Sequence, residues 1–149
     1  MAEELSPDRV RISVEVGSQV NPTPFVSGRL LIAFLEPQAQ AAFLDADADY
    51  QAMGRAKREH FHVELKAIRR QGLTMMDSIV RIGTDLAVIV GNPETGVTAT
   101  LAVPFVAGGQ NHGREKELVP VVQDCAAQIT RALGLTPALL GQSAPAAKA

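Results

Sequence analysis

The sequence predicts an α+β fold in which helices cover a mostly antiparallel sheet. Three observations predict it. Val10–Val16 alternates apolar and polar residues with the period of two that a half-buried strand shows. Residues 73–105 read as three extended segments separated by turn chemistry. Two long stretches, 54–71 and 115–133, carry apolar residues at helical spacing.

The first strand follows a polar lead, residues 1–9, and Gly17-Ser18 closes it. Asn21-Pro22-Thr23-Pro24 is a stiff turn, with Thr23 suited to the N-cap and Pro24 to the first helical position. A short helix from Phe25 to Leu35 follows, and its almost wholly apolar make-up predicts burial against the sheet. Pro37 opens a second short helix that runs through Phe43 and Leu44. Residues 45–52, with Asp45, Asp47 and Asp49, suit a loop or a polar helix start. The helix over 54–71 sets Phe61, Leu65 and Ile68 on one face. Arg69 and Arg70 complement the dipole of its last turn, and Gly72 suits the C-cap.

The extended segments are Leu73–Met76, Ile79–Val90 interrupted at Gly83, and Val97–Phe105. Asn92 to Gly96 joins the last two as a hairpin loop. The unbroken apolar run Leu86–Val90 is that of a central strand. Ala107–Gly113 is a glycine-rich loop, and a last helix from Glu115 to Leu133 carries the apolar stripe Leu118, Val122, Cys125, Ile129 and Leu133. Pro120 is expected in its first turn, where backbone N–H groups lack partners anyway. Gly134 and Leu135 close it in a Schellman-like manner, and residues 136–149 form a tail.

A chain of 149 residues with 46% hydrophobic and 20% charged residues fits one domain with a real core. Fourteen basic and 16 acidic side chains leave a net charge of −2, which argues against the chain gripping nucleic acid by itself. A single cysteine, Cys125, excludes an intrachain disulfide and suits a reducing compartment. No apolar run reaches the roughly 18 residues of a membrane span, so the cytoplasm is the expected address.

Glycine-anchored segments carry a family resemblance. Gly17-Ser18-Gln19-Val20-Asn21-Pro22, followed by Ser27-Gly28-Arg29 and an apolar helix to Leu35, is similar to the segment of IclR-type transcription regulators in which a glycine turn and proline precede a small-Gly-Lys/Arg helix start. The stretch Ile68–Thr74 around Gly72 resembles their helix end running into a strand. Gly83–Gly96, Leu101–Val103, Gln123–Ala126 and Ile129–Leu135 resemble the family's terminal hairpin and closing helix. The resemblance covers residues 10–135. It implies an effector-binding domain, a GAF-like mostly antiparallel sheet covered by helices. That domain would control a separate winged-helix DNA-binding domain and assemble as a homodimer or tetramer. Two departures from the family pattern are expected: the lead of residues 1–9 leaves no room for a winged helix, and the strand pair that normally precedes the glycine turn is missing. An open sheet edge would favour pairing with another chain.

Matching the motifs implies an effector pocket lined by Val26, Ser27, Met76, Leu86, Val103 and Phe105. With Ser27 the exception, the set is apolar and suits an aromatic or otherwise hydrophobic small molecule. The same side chains equally suit a filled core, which would leave an orphan GAF/PAS-like oligomerisation domain without a ligand. No cofactor is implied. His60, His62 and Glu64 fall short of a zinc site, because His60 and His62 diverge on a helix. Asp45, Asp47 and Asp49 imitate a calcium loop, but Tyr50 and Ala56 stand where Gly and Glu are required, which leaves an acidic surface loop. Cys125 reads as a small buried hydrophobe. The sequence lacks a nucleophile elbow, a phosphate loop and a dinucleotide fingerprint. Asp77 and Asp85 near the strands are the remaining acid pair for an enzyme, the weakest of the readings.

Overall fold

The computed structural model describes residues 16–80, 82–95, 97–108 and 113–138. Helices α1 (Val26–Phe34), α2 (Pro37–Ala46), α3 (Ala48–Gln51) and α4 (Arg55–Gln71) come first. Strands β1 (Leu73–Asp77), β2 (Gly83–Asn92) and β3 (Val97–Val106) follow, and α5 (Glu115–Ala132) closes the chain. Among the described residues the sheet has three antiparallel strands in the order β1-β2-β3. The lead 1–9, the strand expected over Val10–Val16 except Val16 itself, and the tail beyond Ala138 lie outside the described residues.

Helices cover both faces of the sheet. Leu86, Val88 and Val90 of β2 pack with Phe105 of β3 and with Val122 and Ala126 of α5. The alternate residues Ala87 and Ile89 face the other way, into a core built from Val26 and Leu30 of α1 and Phe61, Leu65 and Ile68 of α4. Burial on two sides is the reason Leu86–Val90 is apolar without alternation. Among the described residues no helix is long and apolar enough to cross a membrane.

Several boundaries move for identifiable reasons. Phe25 N–H donates to the Pro22 carbonyl at 3.1 Å, which closes a turn over 22–25, so α1 starts at Val26. Phe25 occupies the cap position, and Thr23 is buried upstream with its hydroxyl unpartnered, not capping the helix as expected. Ile79, Val80 and Ile82 lie outside any strand, and β2 begins at Gly83. A Cβ on Gly83, at φ +143°, would stand 2.0 Å from the Phe105 carbonyl oxygen, so only glycine lets the two strands meet there. Asp47 caps α3 by accepting from Tyr50 N–H at 2.6 Å, so of the loop or polar helix start expected over 45–52 the structure has the helix start.

Two expectations for α5 are corrected. Its inward face runs through Leu118, Val119, Val122, Ala126 and Thr130, whereas Cys125, Ile129 and Leu133 are exposed. The reason lies at Thr130, whose hydroxyl accepts from Gly91 N–H at 2.9 Å and donates to the Ala126 carbonyl at 2.8 Å. That polar bond rolls the small Ala126 onto β2 and turns Cys125 outward. Pro120 falls in the second turn, where it removes the hydrogen bond its N–H would have given Lys116. Leu135 N–H bonds the Thr130 carbonyl at 3.1 Å and Gly134 sits at φ +77°, the closure its sequence predicts.

Candidate functional site

Between the glycine turn, the start of α1 and strand β3 lies an open groove of about 450 Å³. Its walls are Val20, Pro22, Phe25 and Leu31, and Ser18, Gln19, Ser27 and Thr100 supply its polar points. Gly28 completes the lining, and none of the described side chains there is ionisable. An apolar hollow of this size with a few hydroxyl and amide groups is the usual build of a small-molecule site. Thr100 lies opposite Ile89 in the β2–β3 register, so it stands on the sheet face that α1 covers.

Ser27 and Gly28 of the Ser27-Gly28-Arg29 motif line this groove, and Arg29 reaches the turn behind it. Gly28 lets α1 press against the preceding turn, since a Cβ there would meet the Pro22 carbonyl oxygen at 2.0 Å. Arg29 points away from the groove: its Nε donates to the Thr23 carbonyl at 2.9 Å, and one terminal nitrogen contacts both Glu64 oxygens at 2.9 and 2.8 Å. The guanidinium also lies 5.2 Å from the centre of the Phe61 ring. On the far side of the turn, the Asn21 amide donates to the Asp49 carboxylate of α3.

The six expected lining residues divide over the two faces of the sheet. Val26 is buried in the core beneath α1, Met76 packs against that same core, and Ser27 lines the groove. Leu86, Val103 and Phe105 belong to the cluster against α5. Leu86 and Val103 are register partners, and Phe105 follows two residues later on the same face. The groove is also lined by Ser18, Gln19, Phe25, Leu31 and Thr100, which motif matching did not name. The signal for Thr100 was its parity: in a period-two strand it must face away from Val103, and only the packing of α1 and α5 decides which side holds the groove.

A second hollow of about 520 Å³ lies where the first half of α4 meets α1, with Met53, Ala56 and Phe61 as walls and Arg29, Lys57, His60 and Glu64 as its polar lining. A cleft of about 100 Å³ lies beside the Gly91–Thr130 bond, bordered by Gly72, Ala127 and Pro137. Among the described residues no cluster of three or more His, Cys, Asp or Glu side chains is arranged to hold a metal ion. His62 bonds the Tyr50 hydroxyl at 2.7 Å, and Arg58 stacks on the same ring at 5.2 Å. Asp77 is exposed at the end of β1, and Asp85 is half-buried opposite Met76.

Residues 4–131 match the family model described as bacterial transcriptional regulator IclR C-terminal. No curated protein sequence matches the chain. A protein from Silicibacter sp. TM1040 described as an IclR transcriptional regulator is similar in fold, with a TM-score of 0.71 at 20% identity over 91% of this chain and 55% of that one. Pseudomonas aeruginosa HmgR gives 0.62 at 20% identity over 88% and 52%. The inducer binding domain of the PobR transcription factor from Acinetobacter, a double mutant in complex with 3-hydroxybenzoic acid, gives 0.60 at 17% identity over 83% and 73%. The chain spans about half the length of the first two structures.

Proposed function

The chain belongs to the bacterial transcriptional regulator IclR C-terminal family, and on that premise we propose that it senses a small-molecule effector in the groove beside α1. This family is one of transcription regulators and not of enzymes. The observation that carries the reading is the groove itself, with apolar walls and hydroxyl groups where the Ser27-Gly28-Arg29 helix start meets Thr100. Its ligand is aromatic or otherwise hydrophobic, held by Ser27 and Thr100 at its polar atoms and by Phe25 and Leu31 at its ring or chain. Val26 and Met76 back this face from within the core. Leu86, Val103 and Phe105 form the wall against α5 and hold the sheet that the ligand rests on.

In this reading the regulator works in the cytoplasm as a homodimer or tetramer. A ligand that prefers one conformer shifts the arrangement of subunits, and with it DNA binding by a separate winged-helix domain. Thermal shift with substituted benzoic acids against small keto acids tests it. A ligand at a hundred times its Kd stabilises the folded state by about 2.7 kcal/mol. Stabilisation by the aromatic acids, lost when Ser27→Phe fills the groove, supports the proposal, and stabilisation by keto acids alone sinks it.

A second reading, an oligomerisation domain without ligand, is favoured by the exposed apolar row Val121, Ile129 and Leu133 on α5. Light scattering separates the two. Assembly indifferent to every ligand, and lost on Ile129→Glu, supports the second.

A further inference from the structure

We propose that Arg29 and Glu64 are positioning residues for the effector groove, holding the Asn21–Phe25 turn that makes its apolar wall. The inference rests on the effector reading and deepens it. Pro22 and Phe25 of that turn line the groove, and two polar attachments join the turn to helices behind it. At one end, Asn21 is bonded to Asp49 of α3. At the middle, the Thr23 carbonyl accepts from Arg29, and the same guanidinium grips Glu64 of α4.

The geometry of arginine makes this a clamp and not a loose ion pair. Its planar fork presents donors in fixed directions, so Nε and the terminal nitrogen satisfy Thr23 and Glu64 together at only one placement of the turn. The side chains of Arg29 and Glu64 are 19% and 23% exposed, against 93% and 65% for the surface pair Arg55 and Glu59. Partial burial, with Phe61 beneath the guanidinium, weakens the screening that makes surface pairs ineffectual. Gly28 contributes the third element: with no Cβ, α1 stays close to Pro22, and a small displacement of the turn changes the groove. A shift of α4 therefore reaches the wall through Glu64, Arg29 and the Thr23 carbonyl.

The chain has no tryptophan, so Phe25→Trp installs a single indole on the wall itself, excited selectively over Tyr50. Acrylamide quenching and anisotropy are compared in that parent and in the same background carrying Glu64→Gln, Arg29→Lys or Asn21→Ala. Circular dichroism establishes that each variant folds. Greater quenching and lower anisotropy in Glu64→Gln and Arg29→Lys, at parental helix content, are the expected result. Lysine does not rescue, because it restores the charge without the fork. Substituted benzoic acids that stabilise the Phe25 chain lose affinity about tenfold in Glu64→Gln. Should Arg29→Lys fail to fold, Glu64→Gln decides, and quenching unchanged there overturns the proposal, while Asn21→Ala measures the other attachment of the turn. If no benzoic acid stabilises the Phe25 chain, the aromatic effector falls, and quenching still decides the positioning role.

Discussion

On the α5 face of the sheet, Leu86, Val88, Val90 and Phe105 meet Val122 and Ala126 in a closed apolar cluster, fastened by the Thr130 hydroxyl at Gly91. On the α1 face, Ala87 and Ile89 meet an equally apolar core beneath the helix, but beyond the start of α1 the packing stops and a groove opens. There the chain is fastened by the Arg29–Glu64 and Asn21–Asp49 attachments. The contrast is between a face that stays packed and a face whose larger core gives way to a groove at the start of α1. Closed apolar packing tolerates no displacement. Polar tethers around an open groove hold a position that a ligand is able to bias.

The largest expected effect comes from hollowing the closed side. Leu86→Ala removes a fully buried side chain from the middle strand, and the cost expected is about 2–5 kcal/mol in denaturant unfolding. Strain on the open side comes next. Gly28→Ala would stabilise an ordinary helix, yet here its methyl group meets the Pro22 carbonyl, so the sign reverses and the cost is about 1–3 kcal/mol. A stabilised Gly28→Ala would show that the turn yields freely and would break the contrast between a clamped wall and an open groove. Thr130→Val follows, leaving the buried Gly91 N–H unpartnered at about 1–3 kcal/mol. Its effect is expected at the lower end, since a water molecule entering the adjacent cleft of about 100 Å³ relieves part of it.

Elements whose signals are local were legible in the sequence. Periodicity marked α4, Gly72 marked its end, and the continuous run Leu86–Val90 announced a central strand. Relations between elements were less legible. The stripe through Cys125 was misassigned because the inward position of α5 is set by Thr130, a polar residue that counts against burial until its partner Gly91 is known. The cap assigned to Thr23 failed because the turn over 22–25 intervened. At the groove, Ser27 was named from its motif. Thr100 and Val103 lie in one short strand, and the sequence does not say which of α1 and α5 covers which parity. Arg29 looked like part of a motif, and its work on Thr23 and Glu64 depends on residues six positions away and 35 positions away.

Two near-isosteric exchanges in β3 put the smallest and sharpest question to the two faces. Val103→Thr brings a hydroxyl into the α5 cluster beside Leu86, where no unused polar partner is described, and costs about 1–2 kcal/mol. Thr100→Val removes a hydroxyl from the margin of the groove, where the side chain is only half-buried, and leaves stability within about 0.5 kcal/mol. The ligand response inverts that order. A benzoic acid that stabilises the parent chain keeps its thermal shift in Val103→Thr, measured against that variant's own lower midpoint. In Thr100→Val the shift falls, because a hydrogen bond to the ligand is lost while the walls remain. Equal losses of ligand response in the two variants would mean that both parities of β3 face one site, and the division between a structural and a sensing face would not stand.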